Sequence, residues 1–126
     1  MLAIGAFLIG LLFVASAPAS SAMSSVVDRE VSAVIDALGA SQCRFERNGS
    51  WHDAAAAQAH LRKKYDYLRK RGLAPTTETF IKRGASTSSR SGKPYRVRCG
   101  ATPAMASSTW LRARLAVVRR AAPPSR

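Results

Sequence analysis

The chain has 126 residues, a length that allows one domain. Its 20 Lys and Arg residues outnumber its 7 Asp and Glu residues, which gives a formal net charge of +13 at pH 7. Such a charge favours polyanions, namely acidic polysaccharide, anionic lipid head groups or nucleic acid. A solvated face in an Ala- and Arg-rich chain is the alternative explanation. With two cysteines, two histidines and no C-x-x-C pair, the sequence predicts neither a metal site nor a cofactor.

The N-terminal segment has the pattern of a signal peptide. Residues 2–14 form an apolar run without charge, and small residues with A-x-A-like cleavage sites follow. Cleavage after Ala17, Ala19 or Ala22 fits equally well, although no Lys or Arg precedes the apolar run. An uncleaved anchor is the alternative, but a membrane span needs about 20 apolar residues, and this run is shorter. The sequence therefore predicts a signal peptide over residues 1–22.

The remaining chain is predicted to be a periplasmic or secreted domain over residues 23–120, with a disordered tail over residues 121–126. No transmembrane span is expected after cleavage, and no intracellular nucleic acid is expected as a partner. Two cysteines in an exported chain predict one disulfide, Cys43–Cys99. An alternative metal site made of both cysteines and both histidines is disfavoured, because an oxidising compartment disfavours free thiolates.

Apolar residues at helical spacing predict four helices. The first spans residues 24–38. The second follows an Asp53 N-cap and ends before Gly72. The third spans residues 77–83 after a Thr76 cap, and Ser107 or Ser108 caps the last. The predicted core comprises Val27, Val31, Val34, Ile35, Leu38, Phe45, Trp51, Leu61, Tyr65, Leu68, Leu73, Phe80, Ile81, Tyr95, Val97, Trp110, Leu111, Leu115 and Val118.

Two segments alternate as strands: residues 43–47, which begin with Cys43, and residues 94–99, which end with Cys99. If Cys43 faces Cys99 in an antiparallel pair, then Phe45 faces Val97 and Arg47 faces Tyr95. The other face then sets Glu46 against Arg96, a favourable pair, and Arg44 against Arg98, an unfavourable one. Whether residues 50–52 fold back as a hairpin arm is left open. The predicted fold is a small, mostly helical α+β domain with a two-stranded antiparallel β pair clamped by the disulfide.

Several motifs together resemble one small family of exported bacterial proteins. They are FERNG at 45–49, HLRKKY at 60–65, TETFI at 77–81, SSRSGKPY at 88–95 and WL at 110–111. The resemblance is to domain-of-unknown-function family 5329, with YfeK-like members, and it spans nearly all of the mature chain. It implies export to the periplasm or beyond, and it implies no activity.

The segment of residues 86–93, called here the serine loop, is the first candidate for function. Its hydroxyls, its glycine and Lys93 could cradle an anion through backbone N–H groups. It is not a P-loop, because that pattern needs glycine at Thr87 and Ser or Thr at Pro94. The alternative is a solvated linker rich in turn-forming residues.

A helical row that begins with His60 and Lys64 is the second candidate. These residues are neighbours at i, i+4, and the lysine charge would lower the pKa of the histidine so that it could act as a general base. A loop serine would then be the nucleophile. The alternative is a histidine that packs at the edge of the core and donates one hydrogen bond.

These patterns favour a non-enzymatic exported protein that binds an anionic envelope component or a partner protein; the oligomeric state is not predicted. The alternatives are a hydrolase-like enzyme that uses His60 and a loop serine, and a structural envelope protein without a small ligand. The predicted binding residues are Arg47, Asn48, His60, Lys64, Ser88, Ser89, Ser91, Gly92 and Lys93. A site requires that these residues converge on one concave surface.

Overall fold

A computed structural model describes Gly5, residues 9–15 and residues 19–123, excluding the side chains of residues 19–22. The described part contains four helices and four strands. The helices are α1 (Ala19–Ala40), α2 (Ala54–Lys70), α3 (Thr77–Gly84) and α4 (Ser107–Ala121). The strands are β1 (Arg44–Arg47), β2 (Ser50–His52), β3 (Arg96–Arg98) and β4 (Met105–Ala106). None of the described helices is long and apolar enough to span a membrane.

The strands form one antiparallel sheet in the order β2-β1-β3-β4, so the predicted pair lies at its centre. Phe45 pairs with Val97, and Arg44 pairs with Arg98, as the predicted register requires. The Asn48-Gly49 turn, with φ values of 51° and 81°, folds β2 back onto β1 as a hairpin arm. The fourth strand, β4, lies just before α4, where the sequence analysis predicted no strand.

The disulfide Cys43–Cys99 is present and joins residues whose Cα atoms lie 4.3 Å apart. It clamps the start of β1 to the end of β3. The α+β class with a disulfide-clamped antiparallel pair is therefore confirmed. The sheet has four strands rather than two, because β2 and β4 flank the predicted pair.

The helices cover one face of the sheet and enclose the core. Asp53 caps α2 by accepting a hydrogen bond from the Ala56 N–H, and Thr76 caps α3 in the same way through Thr79. The apolar residues of α2 that repeat at helical spacing are all buried, namely Ala54, Ala57, Leu61, Tyr65 and Leu68. The fully buried large side chains are Tyr95, Phe45, Phe80, Ile35, Leu38, Leu61, Ile81, Leu111, Val31, Val34 and Val97.

Three local predictions were wrong. Leu73 is 40 % exposed: it lies just beyond the end of α2, where its N–H bonds the Leu68 carbonyl, and the core does not cover its side chain. Trp51 is only half-buried, since β2 turns it to the solvent face of the sheet. Neither Ser107 nor Ser108 caps α4, because β4 leads directly into this helix and Ala106 occupies the cap position.

The first helix begins at Ala19, five residues before its predicted start. Cleavage after Ala22 would therefore cut within its first turn. Residues 1–4, 6–8 and 16–18 of the predicted signal peptide, and residues 124–126 of the predicted tail, lie outside the described residues. The signal peptide, the domain boundaries and the disordered tail stay predictions.

Candidate functional site

A cavity of about 450 Å³ opens where the β1–β2 hairpin, α2 and the serine loop meet. Strand alternation directs Arg47, Ser50 and His52 to the face of the sheet that carries Phe45. The cavity is lined by Arg47, Asn48, Ser50, His52, His60, Lys64, Ser88, Ser89, Arg90 and Tyr95. None of these lining residues is an Asp or a Glu.

His60 links the strand to the floor of the cavity. The Arg47 guanidinium contacts His60 Nδ1. Since arginine carries only donors, Nδ1 must be the accepting nitrogen and Nε2 must carry the proton. His60 Nε2 lies 3.1 Å from the Tyr95 hydroxyl, to which it therefore donates. One tautomer of the imidazole is thus fixed by its two neighbours.

The hydroxyl of Tyr95 lies at the centre of this arrangement. The Tyr95 side chain is 2 % exposed and lines the cavity, and its hydroxyl is bonded by two other lining residues, His60 and Lys64. Lys64 Nζ donates to the Tyr95 oxygen over 3.2 Å and also to the Thr87 carbonyl over 3.3 Å. Because the Tyr95 oxygen already accepts from His60 and Lys64, its own proton is free to donate to a ligand.

Burial and charge set the protonation states at this floor. Desolvation, then the positive charges of Arg47 and Lys64, lower the pKa of His60 from 6.5 to about 4. Desolvation and the charge of Arg47 also lower the pKa of Lys64. Desolvation raises the pKa of Tyr95, so its hydroxyl keeps its proton at neutral pH. Near pH 7 the floor consists of two cations, a neutral imidazole and a phenol.

This protonation pattern predicts a specific pH dependence of stability. Between pH 6.5 and about 4 the unfolded chain protonates His60 while the folded chain does not, so stability falls as pH falls through this range. NMR titration of the His60 ring protons should give a midpoint near 4. In the His60→Gln variant, the free energy of unfolding should depend less on pH between 6.5 and 5 than in the wild type. An NMR midpoint of His60 near the usual histidine pKa of 6.5 would contradict this account.

The serine loop is an ordered turn rather than a flexible linker. Thr87 and Pro94 form a bridge at its base, and Gly92, at φ 71°, closes the turn by donating to the Ser88 carbonyl. The hydroxyl of Ser88 accepts from the N–H groups of Arg90 and Ser91. Its backbone N–H groups are therefore largely used within the loop, and they do not form the predicted anion cradle. The loop instead contributes side chains.

The predicted site residues divide into two groups. Arg47, Asn48, His60, Lys64, Ser88 and Ser89 come together around the cavity. Ser91 donates to the Asn48 side chain over 2.6 Å and so ties the loop to the hairpin. Gly92 and Lys93 belong to the turn and do not line the cavity.

Sequence reasoning missed four lining residues: Ser50, His52, Arg90 and Tyr95. The predicted register could have identified Tyr95 as a site residue, because it sets Tyr95 opposite Arg47, which was a predicted binding residue. Tyr95 was assigned only to the core, although a tyrosine at the end of a buried strand can direct its hydroxyl into a cavity.

The arrangement gives little support to nucleophilic catalysis. Both ring nitrogens of His60 are engaged, one by Arg47 and one by Tyr95. Among the described residues, no loop serine hydrogen-bonds to His60. A histidine with a pKa of about 4 is also a weak base at neutral pH. Within the same part of the chain, no group of three His, Cys, Asp or Glu residues could hold a metal ion.

Fold and cavity together define a small, disulfide-clamped α+β domain with a cationic, donor-rich pocket. A family model described as "Family of unknown function (DUF5329)" matches residues 25–119, and the chain belongs to this family. The chain is also similar to "Uncharacterized protein YfeK" of Salmonella typhimurium (strain LT2), with 37% identity over 79 residues. This match covers 62% of the chain and 64% of that relative, so the chain spans less than two thirds of the relative's length. No solved structure matches the chain.

Proposed function

We propose that this domain is an exported, non-enzymatic binding protein whose pocket holds an anionic group of an envelope component. The observation that carries the proposal is the cluster at the floor of the cavity, where Lys64 bonds the Tyr95 hydroxyl directly and Arg47 reaches it through His60. The cavity is lined without Asp or Glu. A carboxylate, sulfate or phosphate group accepts hydrogen bonds and offsets the positive charge of Arg47 and Lys64 in whole or in part.

The remaining lining residues suggest what carries the anion. A cavity of about 450 Å³ is much larger than one small oxyanion. Asn48, Ser50, Ser88 and Ser89 present amide and hydroxyl groups around the floor, and these groups pair with both donors and acceptors. A hydroxyl-rich acid, such as an acidic sugar, matches this distribution.

Export is supported by the disulfide and by the apolar N-terminal segment. Disulfides form and persist in oxidising compartments such as the bacterial periplasm. An envelope compartment also supplies acidic polysaccharides and excludes most intracellular nucleic acid. The likeness to a family of unknown function adds no ligand to this proposal.

Calorimetric titration with galacturonate and with galactose tests the proposal. The two sugars differ only in the carboxylate at the end of the molecule, so galactose is a matched neutral control. We expect saturable binding of galacturonate, weaker binding as salt rises, and no measurable binding of galactose. Absence of binding to both galacturonate and inorganic sulfate would contradict the proposal and favour a structural protein without a small ligand.

A further inference from the structure

We infer that the outer face of the sheet is a second contact surface, and that the ligand is a chain of repeated carboxylates, an acidic polysaccharide. This surface is called here the arginine face and consists of Arg44, Trp51, Arg96 and Arg98. The inference rests on the proposed function of the pocket, because the same ligand would occupy both surfaces.

The charge arrangement of the arginine face is unfavourable for the free protein. Arg44 lies directly opposite Arg98 in the sheet, and like charges at opposed positions are destabilising. Glu46 is the nearby carboxylate, but Arg96 engages it over 2.8 Å, so one carboxylate is shared among three arginines. An anion placed between Arg44 and Arg98 would remove the repulsion.

Trp51 orients the guanidinium of Arg98, one member of this arginine pair. The Arg98 guanidinium lies 4.5 Å from the centre of the Trp51 ring, and that of Arg96 lies 5.8 Å from it. Stacking on an aromatic ring leaves the edge of a guanidinium, with its N–H donors, available to a carboxylate. The arginine face thus presents oriented donors to solvent.

One short strand connects the two surfaces. β2 directs Ser50 and His52 into the cavity and Trp51 to the opposite face. β2 is also an edge strand of the sheet. A chain that leaves the cavity over this edge reaches the arginine face without crossing the rest of the domain.

The two surfaces favour a polysaccharide over single-stranded nucleic acid. Nucleic-acid platforms offer free aromatic faces on which bases stack. The Trp51 ring is half-buried and is contacted by Arg98, so it orients a cation rather than offering a base-stacking surface. The polar cavity, in turn, suits a sugar ring that carries a carboxylate.

The test compares galacturonate with a long oligogalacturonate across a salt series. Replacing Arg44 and Arg98 with Gln should reduce the salt slope of oligomer binding by up to about two, because each ionic contact with a polyanion contributes at most about one. Binding of the monomer should not change. The control replaces Arg112 and Arg114 with Gln, which removes the same charge and includes an arginine stacked on Trp110 at 5.2 Å.

Each result has one meaning. An oligomer slope that falls in the arginine-face variant and not in the control supports the inference. Equal salt slopes in the wild type and the arginine-face variant overturn the inference, and so do equal reductions of the slope in the two variants. In both cases, unchanged binding of the monomer leaves the pocket proposal standing. A wild-type protein that binds neither galacturonate nor inorganic sulfate refutes the pocket proposal itself. Tighter binding of single-stranded DNA than of oligogalacturonate at matched salt would overturn the assignment to a polysaccharide.

Discussion

Removing the disulfide should lower the melting temperature by roughly 15 to 30 °C. The bond joins residues 56 positions apart, and in the chain-entropy model a closed loop of this length stabilises a fold by roughly 4 kcal/mol. Each kcal/mol corresponds to roughly 4 to 8 °C in a domain of this size. The variant is Cys43→Ala with Cys99→Ala, measured by circular dichroism on heating.

Reduction of the wild type provides the control for this prediction. The two alanines also remove buried sulfur atoms, since Cys43 is 4 % exposed. Reductant should lower the melting temperature of the wild type and leave the double variant unchanged. A double variant that melts within a few degrees of the oxidised wild type would contradict the structural role assigned to the clamp.

The largest expected effect on binding comes from Lys64→Gln. The side chain of Lys64 is half-buried and donates to the Tyr95 hydroxyl at the floor of the cavity. Hydrogen bonds to charged groups contribute about 1.5 to 3 kcal/mol, so galacturonate affinity should fall roughly tenfold to a hundredfold. Glutamine keeps most of the side-chain length and an N–H donor, which allows the fold to persist.

Lys63→Gln is the matched control, because Lys63 is adjacent to Lys64 and exposed, and its substitution removes the same charge. Its affinity for galacturonate should stay within about twofold of the wild type at physiological salt, where exposed charges are screened. Equal losses in the two variants would mean that the overall charge of +13, and not the cavity, attracts the anion.

Much of the fold could be predicted because local patterns and packing agree. The stripe Ala57, Leu61, Tyr65 and Leu68 repeats at helical spacing, and all four residues are buried in α2. The register of β1 and β3 followed from one assumption, that Cys43 faces Cys99, because strand periodicity fixes every other pair.

The remaining elements could not be predicted, because they depend on tertiary contacts. β4 has only two residues, and its sequence carries no alternation; it forms because α4 brings Met105 and Ala106 beside β3. The start of α4 is similarly set by a backbone bond from the Ser107 N–H to the Tyr95 carbonyl. A side-chain cap was predicted there because residue type alone cannot reveal such a bond.

The candidate site was predictable in its members and not in its chemistry. His60 and Lys64 were recognised as neighbours on a helix, and Arg47 was recognised as a strand end. The hydroxyl that joins them belongs to Tyr95, which is 31 residues from Lys64 in the chain. Only the folded structure shows that the serine loop uses its backbone N–H groups internally and contributes side chains instead.

The most direct test of the pocket is an NMR titration of the ¹⁵N-labelled domain with galacturonate. Amide shifts should change at the ends of β1 and β2, around His60 and Lys64, and in residues 88–90, with little change along α4. The Tyr95 ring signals should move with the same midpoint. Shifts spread evenly over the basic surface, or centred on α4, would contradict the proposal that this cavity binds an anionic group.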